Sequence, residues 1–154
     1  MNLEIKTYIK PTADFLCQVE SLHNNAFLLS PWRAGYLEKF FAKKEKLPIL
    51  CTLERKELLC GYIIGKARIE KDEFLVHSFL ISDEFRGKGW GKKLMKNLLS
   101  YIEKNTKIKN VVVNFRSSNS VINFYGSLGF SSLQTRETYK NGEQKISMII
   151  PTKL

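Results

Sequence analysis

The sequence predicts an α/β (α+β) fold, one domain over residues 1–154, with a mixed central sheet of about six or seven strands flanked by about four helices. Three observations predict it. Segments of period 2 and period 3.6 alternate along the chain. Val111 to Phe115 is a largely apolar run of strand length, as expected for a strand covered on both faces. A glycine-rich stretch after a long apolar strand runs directly into an amphipathic helix. No internal repeat, low-complexity tract or linker interrupts this pattern.

Each element has its own local reason. Leu3 to Ile9 alternates apolar and polar residues and reads as a first strand. Pro11-Thr12 opens a helix with Phe15, Leu16, Val19 and Leu22 on one face. Pro31-Trp32 starts a second, with Tyr36, Leu37, Phe40 and Phe41 as its apolar stripe. Ile49–Leu53 and Leu58–Ile64 form a hairpin around the polar turn Glu54-Arg55-Lys56-Glu57, which places Cys51 and Cys60 opposite one another as free thiols. Phe74–Ser82 is a longer strand. Leu94, Met95, Leu98, Leu99 and Ile102 recur at helical spacing. Asn119–Leu128 is a short helix ended by Gly129. Glu137–Tyr139 and Lys145–Ile150 flank Asn141-Gly142, a strong hairpin signal.

Composition narrows the function classes. Of 154 residues, 44% are hydrophobic and 26% charged, which excludes a disordered chain. No apolar run reaches the ~18 residues of a membrane span, and no signal peptide is evident, so a cytoplasmic protein is expected. Three cysteines without Cys-x-x-Cys spacing and two histidines argue against a metal centre. The formal charge of +10 suits an anionic partner or cofactor, or a merely solvated lysine-rich surface. No nucleic-acid-binding motif accompanies it.

The chemistry concentrates in Ile81-Ser82-Asp83-Glu84-Phe85-Arg86-Gly87-Lys88-Gly89-Trp90-Gly91-Lys92. Glycines at alternate positions let backbone N–H groups converge, and a helix N-terminus adds partial positive charge. Lys88, Lys92 and Lys93 add formal charge, and a pyrophosphate is the natural occupant. The order of residues fits neither a Walker A loop nor a dinucleotide-binding Gly-x-Gly-x-x-Gly.

Arg86-x-x-Gly89-x-Gly91 resembles the (Gln/Arg)-x-x-Gly-x-(Gly/Ala) acetyl-CoA signature of the GNAT N-acetyltransferases. Phe124-Tyr125-x-x-Leu128-Gly129-Phe130 is similar to that family's second block. Pro31-Trp32, Arg116-Ser117-Ser118-Asn119 and the segment from Arg136 to Met148 resemble RimI-type protein N-terminal acetyltransferases, with Gln144-Lys145 departing from their pattern. The resemblance implies a GNAT fold and an acetyl-CoA-dependent N-acetyltransferase with no metal. It implies cofactor contacts at Phe79, Leu80 and Ile81 along a strand edge, at Arg86, Gly87, Lys88, Gly89, Trp90, Gly91 and Lys92 around the pyrophosphate, and at Asn119.

For catalysis, the resemblance makes Tyr125 the acid that serves the departing thiolate; the alternative is simple packing beside Phe124. The RimI-type general-base glutamate falls on Asn114, which cannot take a proton in that role. His77 is the substitute candidate, since an ordinary histidine pKa suits base work, although a structural strand histidine reads the same way. A water relay through Asn114 is a further route. The expected acceptor is a protein N-terminal α-amine, with a ribosomal protein as precedent. A small amine such as a polyamine or aminoglycoside, or an acetyl-CoA-binding module with little turnover, are the alternatives. Neither membrane nor nucleic acid is an expected partner, and a monomer or homodimer is expected.

Overall fold

The computed structural model describes residues 2–133, 135 and 137–152. Its elements are β1 (Leu3–Tyr8), α1 (Ala13–Ala26), α2 (Tyr36–Ala42), β2 (Ile49–Arg55), β3 (Leu58–Arg68), β4 (Glu73–Ile81), α3 (Trp90–Asn105), β5 (Asn110–Arg116), α4 (Ile122–Ser127), β6 (Ser131–Leu133) and β7 (Lys145–Pro151). The strands form a seven-stranded sheet in the order β1-β2-β3-β4-β5-β7-β6. The β4–β5 pair is parallel, and β1–β2, β2–β3, β5–β7 and β6–β7 are antiparallel, so the sheet is mixed as expected. Two compact units share the chain: Met1–Lys66 with His77–Leu98, and Ala67–Val76 with Leu99–Leu154.

In the first unit, Thr12 caps α1 by accepting a bond from the Phe15 amide at 3.2 Å. Leu16 and Val19 of α1 and Leu37, Phe40 and Phe41 of α2 pack with Leu50, Tyr62, Ile64 and Leu80 of the sheet. The start of α2 differs from expectation. It begins at Tyr36 rather than Pro31, behind Gly35 at φ +82°. The buried Glu20 of α1 supplies the missing cap: its carboxylate accepts from the Leu37 amide at 2.8 Å and the Gly35 amide at 3.4 Å.

The β2–β3 turn is tighter than expected. Lys56 and Glu57 take φ of 49° and 68°, the two-residue geometry that suits strand twist. A bulge between Leu53 and Glu54 shifts the register, and Cys51 pairs with Ile63 rather than Cys60. The two thiols therefore do not face each other. The Asn97 carboxamide of α3 donates to Thr7 Oγ1 at 2.9 Å and to Cys51 Sγ at 3.4 Å, while Cys60 joins Leu53 and Phe85 in a separate cluster.

In the second unit, β4 pairs with β5 over Glu73–Leu75 and Asn110–Val112, and β5 pairs with β7 along its full length. Glu137–Tyr139 makes the expected hairpin only as far as Lys145, with the Tyr139 amide on the Glu143 carbonyl at 2.8 Å and the Lys145 amide on the Glu137 carbonyl at 3.0 Å, while Ser131–Leu133 pairs with Ser147–Ile149 of β7. Around Asn141-Gly142 the chain makes a turn with Gly142 N–H on the Tyr139 carbonyl and one bridge, Thr138 to Gln144. Arg136, part of the expected hairpin, lies outside the described residues. Helix α4 is shorter than expected and spans only Ile122–Ser127.

Candidate active site

Phe85 anchors the glycine-rich loop. It is buried against Leu53 and Cys60, with Ile81 and Trp90 packed alongside and the Arg55 guanidinium 5.3 Å from its ring centre. From this anchor a 3₁₀ turn, Asp83–Phe85, leads into Gly87 at φ +74° and Gly89 at φ +86°. A side chain at either position would meet no atom within 4 Å, so the glycines serve an unusual backbone path and leave open space above it. The Lys93 amide makes the first helical bond, to the Gly89 carbonyl at 3.2 Å. Helix geometry therefore leaves the amides of Trp90, Gly91 and Lys92 without an intrahelical acceptor. Gly91 lies inside the first turn of α3, so only Gly87 and Gly89 shape the loop.

The Arg86 side chain works within the loop. Its Nε donates to the Ile81 carbonyl at 2.7 Å and its guanidinium pairs with Asp83 at 2.8 Å, which fixes the end of β4 against the turn. Lys88 Nζ donates to the Glu84 carbonyl at 3.1 Å, and Lys93 Nζ sits 4.4 Å from the Trp90 ring centre. Two left-handed glycines, open space above them, a sixteen-residue helix opening beneath, and lysines around the rim fit a pyrophosphate. His77–Ile81, the end of β4, belongs to this unit, and Phe79, Leu80 and Ile81 close the strand.

His77 belongs to the same unit. Its Nε2 shares a 2.7 Å hydrogen bond with the Tyr36 hydroxyl. The Tyr36, Phe40 and Trp32 rings lie 5.7, 5.3 and 6.1 Å from its ring centre. Loss of hydration among these rings, then the Lys66 charge and His23, pushes His77 below the ordinary histidine value. Tyr36 is raised by burial and keeps its proton. His77 is thus a neutral imidazole with an exposed edge, tethered to a neutral phenol.

A second histidine, not singled out in the sequence, organises this region. His23 stacks face to face on Trp32, centroids 3.5 Å apart. Its Nε2 lies 3.0 Å from the Ser30 carbonyl, which can only accept, so Nε2 carries the proton. Burial lowers the His23 pKa and keeps the ring neutral. Its Nδ1 therefore accepts from the Tyr62 hydroxyl at 2.8 Å, and Tyr62 accepts in turn from Ser78 Oγ at 2.8 Å. Asn24 grips the Trp32 backbone from both sides, at 2.7 and 3.1 Å.

Asn114, Asn119 and Tyr125 fall in the second unit. Tyr125 is 8% exposed and packs against Phe115, Phe124 and Phe130 with centroids 5.6, 5.3 and 5.4 Å away. Burial pushes its phenol up to about 12. Its carbonyl accepts the Leu128 and Phe130 amides, and Gly129 at φ +101° closes the turn that holds α4. Asn114 on β5 accepts from Ser147 Oγ at 2.6 Å, which orients its carboxamide. Asn119 is exposed, and its amide closes a turn onto the Arg116 carbonyl at 2.9 Å.

The structure thus groups the cradle, Phe79–Ile81 and His77 in one unit and the two asparagines with Tyr125 in the other. Sequence reasoning missed Tyr36 as the partner of His77, because 41 residues separate them. It also missed the Ser78–Tyr62–His23 chain, for which buried polar residues in apolar stripes were the available signal.

Residues 35–151 match the acetyltransferase (GNAT) domain family model. No curated protein matches the chain significantly. Among solved structures, the ribosomal-protein-S18-alanine N-acetyltransferase of Escherichia coli is similar at TM-score 0.72 and 22% identity, over 99% of this chain and 96% of that one. Ard1 from Thermoplasma volcanium aligns at TM-score 0.75 and 17% identity, over 98% of each chain. The spermidine/spermine N-acetyltransferase SpeG of Vibrio cholerae, solved in mutant forms, aligns at 0.74 and 17% identity, over 98% of this chain and 95% of that one. At these identities the neighbours share the fold, and the family-model match over most of the chain establishes that it belongs to the GNAT acetyltransferase family.

Proposed function

We propose that the protein transfers an acetyl group from acetyl-CoA to a primary amine, foremost a protein N-terminal α-amine. The cradle supports this reading, because two glycines in left-handed conformation and a long helix N-terminus suit a pyrophosphate. Bound acetyl-CoA supplies an acyl group activated as a thioester. The amides of Gly87 to Lys92 and the Lys88 and Lys92 charges hold the pyrophosphate, while Arg86 keeps the turn in shape. The strand edge at Phe79, Leu80 and Ile81 offers main-chain partners for the amides of the pantetheine arm. Asn119 adds a polar contact.

Tyr125 serves the departing thiolate. A phenol raised to about 12 is a weaker acid than a thiol of pKa ~8.5, so its part is to donate a strong hydrogen bond as charge develops on sulfur. His77 receives the amine proton. Being neutral below the ordinary histidine value, it is already unprotonated at pH 7, and Tyr36 fixes its orientation. An α-amine of pKa ~8 needs only this modest base, whereas a lysine near 10.4 needs more, which supports an N-terminal acceptor. The three free cysteines suit a reducing, cytoplasmic setting.

A second reading, an acetyl-CoA-binding module with little turnover, is favoured by Asn114, whose carbonyl oxygen is engaged by Ser147 and has no basic function. Thiol release from acetyl-CoA separates the two. Measured with peptides bearing free N-termini, lysine peptides and polyamines, turnover on the N-terminal peptides that falls in Tyr125→Phe and His77→Gln supports the enzyme. Tight acetyl-CoA binding without turnover on any of them sinks it in favour of the module.

A further inference from the structure

Beside His77 lies a concentration of positive charge that the proposed chemistry does not use. Lys66 is half-buried on β3, its Nζ 5.1 Å from the Phe40 ring centre, and that ring lies 5.3 Å from His77. The pairing of Ile49 with Gly65 sets Lys66 next to Pro48, just after the 3₁₀ turn Lys44–Lys46 that follows α2. Lys43 ends α2. Burial and then the ammonium groups of Lys46 and Lys43 lower Lys66, which records their proximity. Glu38 and Glu45 lie in the same stretch, yet among the described residues no carboxylate comes within ion-pair distance of Lys43, Lys46 or Lys66.

Helix polarity explains a lysine at the end of α2. It does not explain a half-buried lysine on the neighbouring strand whose charge feels both Lys43 and Lys46. Like charges gathered without a counter-charge are destabilising, and an anion relieves that repulsion when it binds.

We propose that the acceptor is a peptide with a free N-terminus and acidic side chains in its first few residues, whose carboxylates are read by Lys43, Lys46 and Lys66. The inference rests on His77 marking the acceptor side. Lys66 Nζ lies within about 10 Å of the His77 ring, the reach of the second to fourth residues of an extended peptide at ~3.3 Å per residue. The carboxylate of a free amino acid stays beside its own nitrogen and does not span that reach. A polyamine would meet repulsion there.

The test is equilibrium binding, by fluorescence anisotropy in saturating CoA, of a dye-labelled heptapeptide with glutamate at positions 2 to 4 and of its glutamine counterpart. The glutamate peptide is expected to bind about tenfold more tightly at low salt, the scale of a few partly screened surface pairs. Lys66→Gln should reduce the preference, and Lys43→Gln/Lys46→Gln/Lys66→Gln should bring it within twofold while the melting temperature holds. Equal affinities in the wild type, or a preference that survives the triple substitution, overturn the proposal. Competition by free glutamate or spermidine as effective as by the unlabelled acidic peptide overturns it too. Turnover of the glutamate peptide by His77→Gln keeps the two readings apart. Unchanged turnover removes His77 as the base and leaves the charge preference standing, whereas lost turnover without a charge preference removes the lysine reading alone.

Discussion

Replacing Gly89 by alanine separates a backbone penalty from a ligand penalty. Gly89 sits at φ +86° with nothing within 4 Å of an added methyl, and Gly142, in the Asn141-Gly142 turn, sits at φ +87° with equally open surroundings. Holding an L-residue in the left-handed region costs ~1–2 kcal/mol, of which ~0.4–1 kcal/mol is returned by the stiffer unfolded chain. Both variants should therefore lose about 1 kcal/mol, a fall of roughly 2–4 °C in Tm for a chain of this size. Only Gly89→Ala places its methyl in the loop assigned to the pyrophosphate. Losing one charge-assisted hydrogen bond there costs ~1.5–3 kcal/mol, or about 10- to 100-fold in CoA affinity. Calorimetric titration of CoA against the wild type, Gly89→Ala and Gly142→Ala reads the difference directly. A Gly89→Ala dissociation constant within threefold of wild type, or an equal loss in Gly142→Ala, refutes the assignment of the cradle.

Other expectations follow from the same geometry. Tyr125→Phe should cut kcat by about 10²-fold, the usual scale for losing one donor to a developing anion, with little change in Tm, since its hydroxyl has no hydrogen-bond partner among the described residues. Glu20→Ala should cost ~1.5–3 kcal/mol in urea unfolding by uncapping α2, and should raise KM because α2 carries Tyr36. His23 is neutral when folded, with its pKa below the ordinary value, so the unfolded chain takes up the proton first. Its stabilisation is complete above about pH 6.5 and is lost as pH falls towards the depressed folded value, and Tm scans from pH 7.5 to 5 should flatten in His23→Gln. The acid limb of kcat/KM should fall below pH 6.5 in the wild type and vanish in His77→Gln.

Much of the fold was legible because its signals are local. Gly87 and Gly89 announce their own backbone, Thr12 announces the start of α1, and Leu94, Leu98 and Ile102 announce the buried face of α3. The misplaced boundaries share a different cause. Helix α2 starts where Glu20, more than a dozen residues upstream, reaches the Leu37 amide, and no property of Pro31 or Trp32 reports that contact. Strand β6 is three exposed residues whose only strand-like trait is the pairing with β7. Cys51 and Cys60 miss each other for two reasons: the turn is Lys56-Glu57 alone, so Arg55 pairs with Leu58 and Glu54 with Leu59, and the bulge then adds one further residue; symmetric counting about Glu54–Glu57 registers neither. Around the site the division is the same. The cradle was visible as a motif, whereas the environment that tunes His77 comes from α2 and β3 and exists only once the chain has folded.

That environment bears on how a chain with Asn114 at the expected base position can still act on amines. A carboxylate beside the amine would hold it as an ammonium by ion pairing even as it served as base. Here Asn114 is committed to Ser147 and carries no charge, while His77 is kept neutral by its rings and by Lys66. Both features favour an uncharged amine at the moment of attack. The lysines then have a double consequence: they attract an acidic peptide, and they disfavour a second positive charge beside His77. A Lys66→Gln variant should accordingly move the acid limb of kcat/KM upward in pH, because the imidazole loses a neighbour that resisted its protonation. An acid limb that stays in place would mean that burial among the rings alone sets the His77 pKa.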